Sequence, residues 1–218
     1  NIQAVKNDPS LFNLFSQFNR SGNVNIPDGL IQKWVQKGQT SKLQNLYDML
    51  PESGKQTVQQ GVLNKIIKDA SDNVGNIDPQ KLFKSYNSYK DATSGNTPLN
   101  VVFDPNTKSA LDSIMRVANK LNNLSQAKAY PINGFQNRDL ISGAKNVGAV
   151  VAAPHTMGAS LLEPILGFVK NKAFLKGLTD PKLQKMLINI NNLNPSSSAY
   201  AKKLAELAGY TATASTNN

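Results

Sequence analysis

Cysteine is absent from the 218 residues, which excludes disulfides and thiolate metal sites and leaves the redox compartment open. Histidine is nearly absent as well. The single His155 cannot form a metal cluster alone, no HxH or HExxH spacing occurs, and a helix-cap or core role is expected of it. Only Arg20, Arg116 and Arg138 are arginine, so lysine carries most of the net charge of +10 and the pI near 9.7. Such a balance implies attraction to polyanions, meaning nucleic acid or an anionic membrane surface. Bidentate reading of guanine or phosphate favours arginine, so sequence-specific DNA recognition is not expected, and any nucleic-acid contact should be non-specific and salt-sensitive. Charged residues make up 17% of the chain and hydrophobic ones 39%, both low for a globular protein. Asn, Ser, Gln and Thr fill the gap.

Catalytic signatures are missing too. No GxSxG elbow frames a serine, and no GxxxxGK[ST] phosphate loop occurs. Glu52-Ser53 matches the pair that carries the general acid in lytic transglycosylases. The Gly-Leu-Met-Gln-like segment that should follow is absent, and Glu52 stands just after the helix-stopping Pro51. The chain is expected to be no enzyme, with no catalytic, cofactor-binding or metal-binding residues and no cofactor.

What the sequence does contain is helical periodicity. Leu11, Leu14, Phe15 and Phe18 follow at i, i+3, i+4 and i+7 after Pro9. Pro27 and Asp28 open a helix with Leu30, Ile31, Trp34 and Val35 on its buried side, ending at Gly38. Thr40 or Ser41 is expected to cap a third, carrying Leu43, Leu46, Tyr47 and Leu50. Val58, Val62, Ile66, Ala70 and Val74 repeat every four residues and predict the longest helix of this half. Asp78-Pro79, Asp104-Pro105, Asp180-Pro181 and the run Asn194-Pro195-Ser-Ser-Ser are expected to cap four more. Residues 91–98 read as loop, and Leu99 to Phe103 as a buried connector or one more helical turn. The helix after Asp104 carries Leu111, Ile114, Met115, Ala118 and Leu121, with Lys108, Asn119, Asn122 and Asn123 on its other faces. The last helix should end at Gly209. The expected fold is all-α, an array of about ten short amphipathic helices with little or no sheet. The expected segments are an N-terminal helical region 1–125, a hinge 126–139, a C-terminal helical region 140–210 and a polar tail 211–218. Asn rather than Met at position 1 is expected of a processed product or an excised segment, and no signal peptide is visible at the start.

Gly143 to Leu178 gathers the small apolar residues. Between Lys145 and Lys170 only Glu163 carries a formal charge, a span long enough for a bilayer. Pro154, Pro164, three glycines and several polar residues interrupt it. It reads as two short helices, Leu140 to Ala153 and Met157 to Lys172, packed through Gly and Ala in a core, with membrane insertion and a partner interface as the other readings. Val150, Val151, Leu161, Leu162, Ile165, Leu166 and Phe168 are the candidate apolar contact surface. Lysines follow at once. Lys170, Lys172, Lys176, Lys182, Lys185, Lys202 and Lys203 face few acids, namely Asp180 and Glu206, and are the candidate contact for DNA backbone or lipid phosphate.

The order KLQNLYDMLPESGKQTVQQGVLNKIIKDA, IDPQKLFKSYNSYKDA, LNVVFDPNTKSALDSIMRVANKLNN, the Gly-Ala-rich stretch, LTDPKLQKMLIN and NPSSSAYAKKLAEL resembles the helical regions of large internal virion proteins of tailed bacteriophages, the DNA-ejection or cargo proteins. The resemblance runs over roughly residues 30–208. It implies a virion structural protein in the capsid interior or at the portal, released with the genome and then placed in the host cell envelope. Its implied partners are further copies of itself, other virion proteins, non-specific DNA and, transiently, host membrane. The alternatives are a non-specific DNA-binding or packaging protein, and a helical non-catalytic domain of a longer virion-borne peptidoglycan-degrading protein.

Overall fold

The computed structural model describes residues 28–35, 39–90, 97–126, 154–171, 174–194 and 197–216, with the isolated positions 9, 12 and 26. These residues are all-α: ten helices and no strand among them. They are α1 (Asp28–Trp34), α2 (Thr40–Met49), α3 (Glu52–Ala70), α4 (Pro79–Lys90) and α5 (Pro98–Val102), then α6 (Pro105–Gln126), α7 (Pro154–Lys170), α8 (Phe174–Leu178), α9 (Pro181–Asn191) and α10 (Ser198–Thr216). The chain forms two compact units: unit 1, Asn1–Asp69 with Ser85–Asp104, and unit 2, Ala70–Lys84 with Pro105–Asn218. The expected boundary near 125 falls at the end of α6, inside unit 2. Of the helix expected from Pro9 only positions 9 and 12 are described, both helical, and the hinge after Gln126 lies outside the described residues.

In unit 1, α1 packs on α2 and α2 on α5. Ile31, Trp34, Leu43, Leu46, Val58, Val62 and Leu99 are buried, as the periodicity of these segments requires. A polar tie joins three helices: the Tyr47 hydroxyl donates to the Val102 carbonyl at 2.9 Å. Gln59 Nε2 donates to the same carbonyl at 2.8 Å and to the Tyr47 oxygen at 2.9 Å. Burial of the Tyr47 phenol raises its pKa above the ordinary tyrosine value, so the donor stays protonated. The short α5 starts at an unforeseen cap, where Thr97 accepts from the Asn100 amide at 3.2 Å and Pro98 takes the first helical position. Thr40 is not a cap: the helix starts on it, and Gln39 before it makes no side-chain cap bond.

Gly61 on α3 is a close-approach glycine. A Cβ there would lie 2.7 Å from Ile31 Cδ1 and 2.8 Å from its Cγ2. Gly61→Ala is therefore expected to destabilise unit 1 by about 1–2 kcal/mol, since overpacking (~1–3 kcal/mol) exceeds the ~1 kcal/mol of helix propensity gained. In an Ile31→Ala background those two atoms are gone, and the same change should become neutral or stabilising. Trp34 is the sole tryptophan and is buried, so denaturation followed by its fluorescence reads this unit directly. An equal cost in both backgrounds would refute the steric account.

The long helix stops one turn earlier than its apolar stripe suggests. α3 ends at Ala70, and Val74, expected on the buried side, is 82% exposed. Asp72 explains the stop. Its carboxylate accepts from the amides of Asn76 at 2.7 Å and Val74 at 3.0 Å, and Gly75 closes the turn with φ of 85°. The Asn76 amide, ahead of the other donors, holds the Asp72 carboxyl below the usual carboxylate range. The turn hands the chain to α4, where Asp78 accepts from the Gln80 amide at 2.8 Å and the Lys81 amide at 3.1 Å.

Unit 2 is organised on α6, α7 and α10: α7 packs against both others, and α9 packs against α6 and α10. Leu111, Ile114, Met115, Ala118 and Leu121 of α6 are buried as expected, and so is Asn122, which the sequence places on a polar face. The C-terminal helix corrects a second expectation. It runs through Gly209 to Thr216, so most of the expected polar tail is helical. Thr211 is fully buried and its hydroxyl donates to the Ala208 carbonyl at 3.0 Å, a local bond that lets threonine enter a helix interior. The helix is capped by Ser197, whose Oγ accepts from the Tyr200 amide at 3.1 Å.

Candidate anion-contact surface

Residues 164–205 contain seven lysines and one acid, Asp180. The lysines differ in whether the ammonium is hydrogen-bonded or ion-paired, although Lys170 is itself exposed. Lys170, in the last turn of α7, donates to the Gly75 carbonyl at 2.6 Å. Lys203 pairs with Glu206 at 2.5 Å and is half-buried. Lys172 lies outside the described residues. Lys176 on α8, Lys182 and Lys185 on α9 and Lys202 on α10 are exposed. α8 packs on α9 and α9 on α10, so these four stand on consecutive packed helices.

Asp180 keeps its negative charge beside these lysines and acts on Lys182 directly, with both of its oxygens engaged. One oxygen accepts the Lys182 amide at 2.8 Å, capping α9, and the other accepts the Tyr210 hydroxyl. The Tyr210 bond, followed by the Lys182 amide, lowers the Asp180 pKa. Burial first, then the same carboxylate, pushes the Tyr210 phenol up to about 12. Lys182 Nζ stands 5.9 Å from the Tyr210 ring centroid, a cation–π placement that holds the α9 lysine against α10. Along α9, Lys182, Lys185, Asn189 and Asn192 follow at i, i+3, i+7 and i+10 and are all exposed. The stripe offers only cations and amides, the donors that phosphate oxygens accept.

The other half of the expected site is placed differently. Leu162, Ile165 and Phe168 are buried and Leu166 is half-buried. The three buried side chains are interior to unit 2 rather than on its surface, because α7 is enclosed by α6 and α10; contact through them requires α7 to leave the unit. Leu161 lies in α7 with its side chain outside the described residues, as does His155, and Val150 and Val151 are outside them altogether. α7 has 17 residues, about 25 Å of helix against a hydrocarbon core of ~30 Å. Pro164 inside it denies the Ser160 carbonyl its helical donor. Among the described residues no helix is long and apolar enough to cross a membrane, and no group of three or more His, Cys, Asp or Glu is placed to hold a metal.

No family model, curated protein or solved structure matches this chain.

Charge is unevenly divided, which the linear sequence conceals because each unit takes two segments of chain. Unit 2 holds fifteen of the 24 Lys and Arg residues but only seven of the 14 Asp and Glu, leaving it eight of the ten net positive charges. Unit 1, with nine and seven, is close to neutral.

Proposed function

We propose that this chain is a non-enzymatic structural protein of a tailed-phage virion, internal or portal-associated, that is released with the genome. It helps DNA ejection across the host envelope through self-assembly and non-specific contact with a polyanion. The observation that carries the polyanion part is the concentration of positive charge in unit 2, exposed on lysines of α8, α9 and α10. Lysine on a flexible stem neutralises phosphate without reading sequence, as a protein packed against a genome requires. The ejection part rests on the resemblance of residues 30–208 to internal virion proteins.

Burial of Leu162, Ile165 and Phe168 makes envelope contact conditional on a rearrangement of α7. Mass measurement by light scattering, with and without anionic liposomes, tests the assembly part. The expected result is a discrete multimer, or assembly triggered by the liposomes. A monomer that ignores liposomes would remove the support for an ejection-channel component.

A further inference from the structure

We infer that the polyanion contacted by unit 2 is a nucleic-acid backbone and that the contact is made by Lys176, Lys182, Lys185 and Lys202, with Asn189 and Asn192 as neutral donors. The inference rests on the proposed polyanion contact and assigns it a place and a partner. Of the seven lysines after Pro164, Lys170 and Lys203 already engage their ammonium groups with Gly75 and Glu206. The four named are exposed, and residues 164–205 set a single acid, Asp180, against them.

Two observations favour nucleic acid over a lipid surface. A helix that lies in a membrane interface needs large apolar residues beside its lysines. Among the described residues of α8 to α10 the only exposed large hydrophobic is Ile188, 54% exposed. The exposed stripe of α9 continues instead into Asn189 and Asn192, which suit phosphate and sugar oxygens and have nothing to insert into acyl chains. The second is Lys182 itself. Its ammonium is held over the Tyr210 ring, so less conformational entropy is lost when it meets a fixed row of phosphates.

The test uses the full chain and a short labelled mixed-sequence DNA duplex, titrated at several salt concentrations. One variant carries Lys176→Gln, Lys182→Gln, Lys185→Gln and Lys202→Gln. A charge-matched control carries Lys33→Gln, Lys68→Gln, Lys81→Gln and Lys84→Gln, four exposed lysines on α1, α3 and α4. Glutamine keeps helix propensity close to that of lysine, and circular dichroism with Trp34 fluorescence checks that both variants stay folded. If each of the four neutralises one phosphate, the first variant loses about 3–4 from the slope of log affinity against log salt. At roughly 0.15 M salt that is a loss of two to three orders of magnitude. The control should lose less than tenfold.

Equal losses in the two variants would overturn the assignment, since bulk charge would then suffice. Absence of duplex binding by the unmodified chain would overturn it as well. If the first variant keeps duplex binding but no longer sediments with phosphatidylserine vesicles, the assignment is overturned in favour of lipid. Failure of the virion reading shows elsewhere, as a chain that never multimerises while its salt slope stays intact.

Discussion

Phe168→Ala is expected to lower the stability of unit 2 by about 3–5 kcal/mol. The ring is 1% exposed and meets Phe174 edge-on at 5.3 Å between centroids and Tyr210 at 6.4 Å. It thus ties α7 to both α8 and α10, and its loss removes two aromatic pairs as well as buried area. Gly177 supplies an internal control. A Cβ at this position would collide with Phe168 Cζ and stand 3.1 Å from Cε2. The ring cannot swing aside, because Phe174 and Tyr210 flank it. Gly177→Ala alone should therefore cost about 1–3 kcal/mol, more than the ~1 kcal/mol that alanine returns in a helix. With Phe168→Ala present the obstacle is gone, and Gly177→Ala should turn neutral or stabilising. Denaturation followed by far-ultraviolet circular dichroism on the four proteins of the cycle reads the coupling. A cost for Gly177→Ala that is the same in both backgrounds would mean the glycine is needed for backbone freedom instead.

Unit 2 should also lose stability steeply in alkali. Burial pushes the Tyr200 phenol up to about 12, and its hydroxyl has no hydrogen-bond partner among the described residues. The folded state thus favours the neutral phenol over the phenolate. Tyr200's contribution is complete below the ordinary tyrosine value near 10 and is lost as pH rises through about 12. The distance between those two values corresponds to about 2–3 kcal/mol for this buried group. Tyr210, also pushed up to about 12, adds in the same direction, with its share reduced because it is half-exposed and screened. Asp180 acts at the opposite end: its lowered pKa contributes stability above the ordinary carboxylate value, lost as pH falls through the folded value. The phenolate absorbance should show two tyrosines titrating near 12, and Tyr200→Phe should remove one of them. That variant should be as stable as the parent or more so near neutrality, since it deletes a buried hydroxyl without a described partner. A Tyr200 that ionises near the ordinary tyrosine value would contradict the burial.

Asp78-Pro79 and Asp180-Pro181 were legible as helix starts because a cap and the amides that donate to it lie within three residues of each other. The buried face of α6 was legible because helical period alone decides which side chains share a face. Local rivals defeated the same reasoning elsewhere. The Val74 stripe position is exposed because the Asp72 carboxylate captures the amides that would have extended α3. Gly209 failed to stop the last helix, since the threonines beyond it satisfy their hydroxyls on helix carbonyls.

The sequence by itself determined that the chain is helical, basic through lysine, and without cysteine chemistry or a second histidine. These properties belong to composition and to contacts within a few residues. Only the tertiary structure decided which apolar residues are interior, which lysines are exposed, and where the charge collects. Tyr210 meets Asp180 thirty residues away, Lys170 meets Gly75 across ninety-five, and each unit draws on two separated stretches. No local pattern encodes such pairings. They follow from the one packing that buries the apolar stripes of α6, α7 and α10 together, and that packing leaves eight net positive charges on one unit.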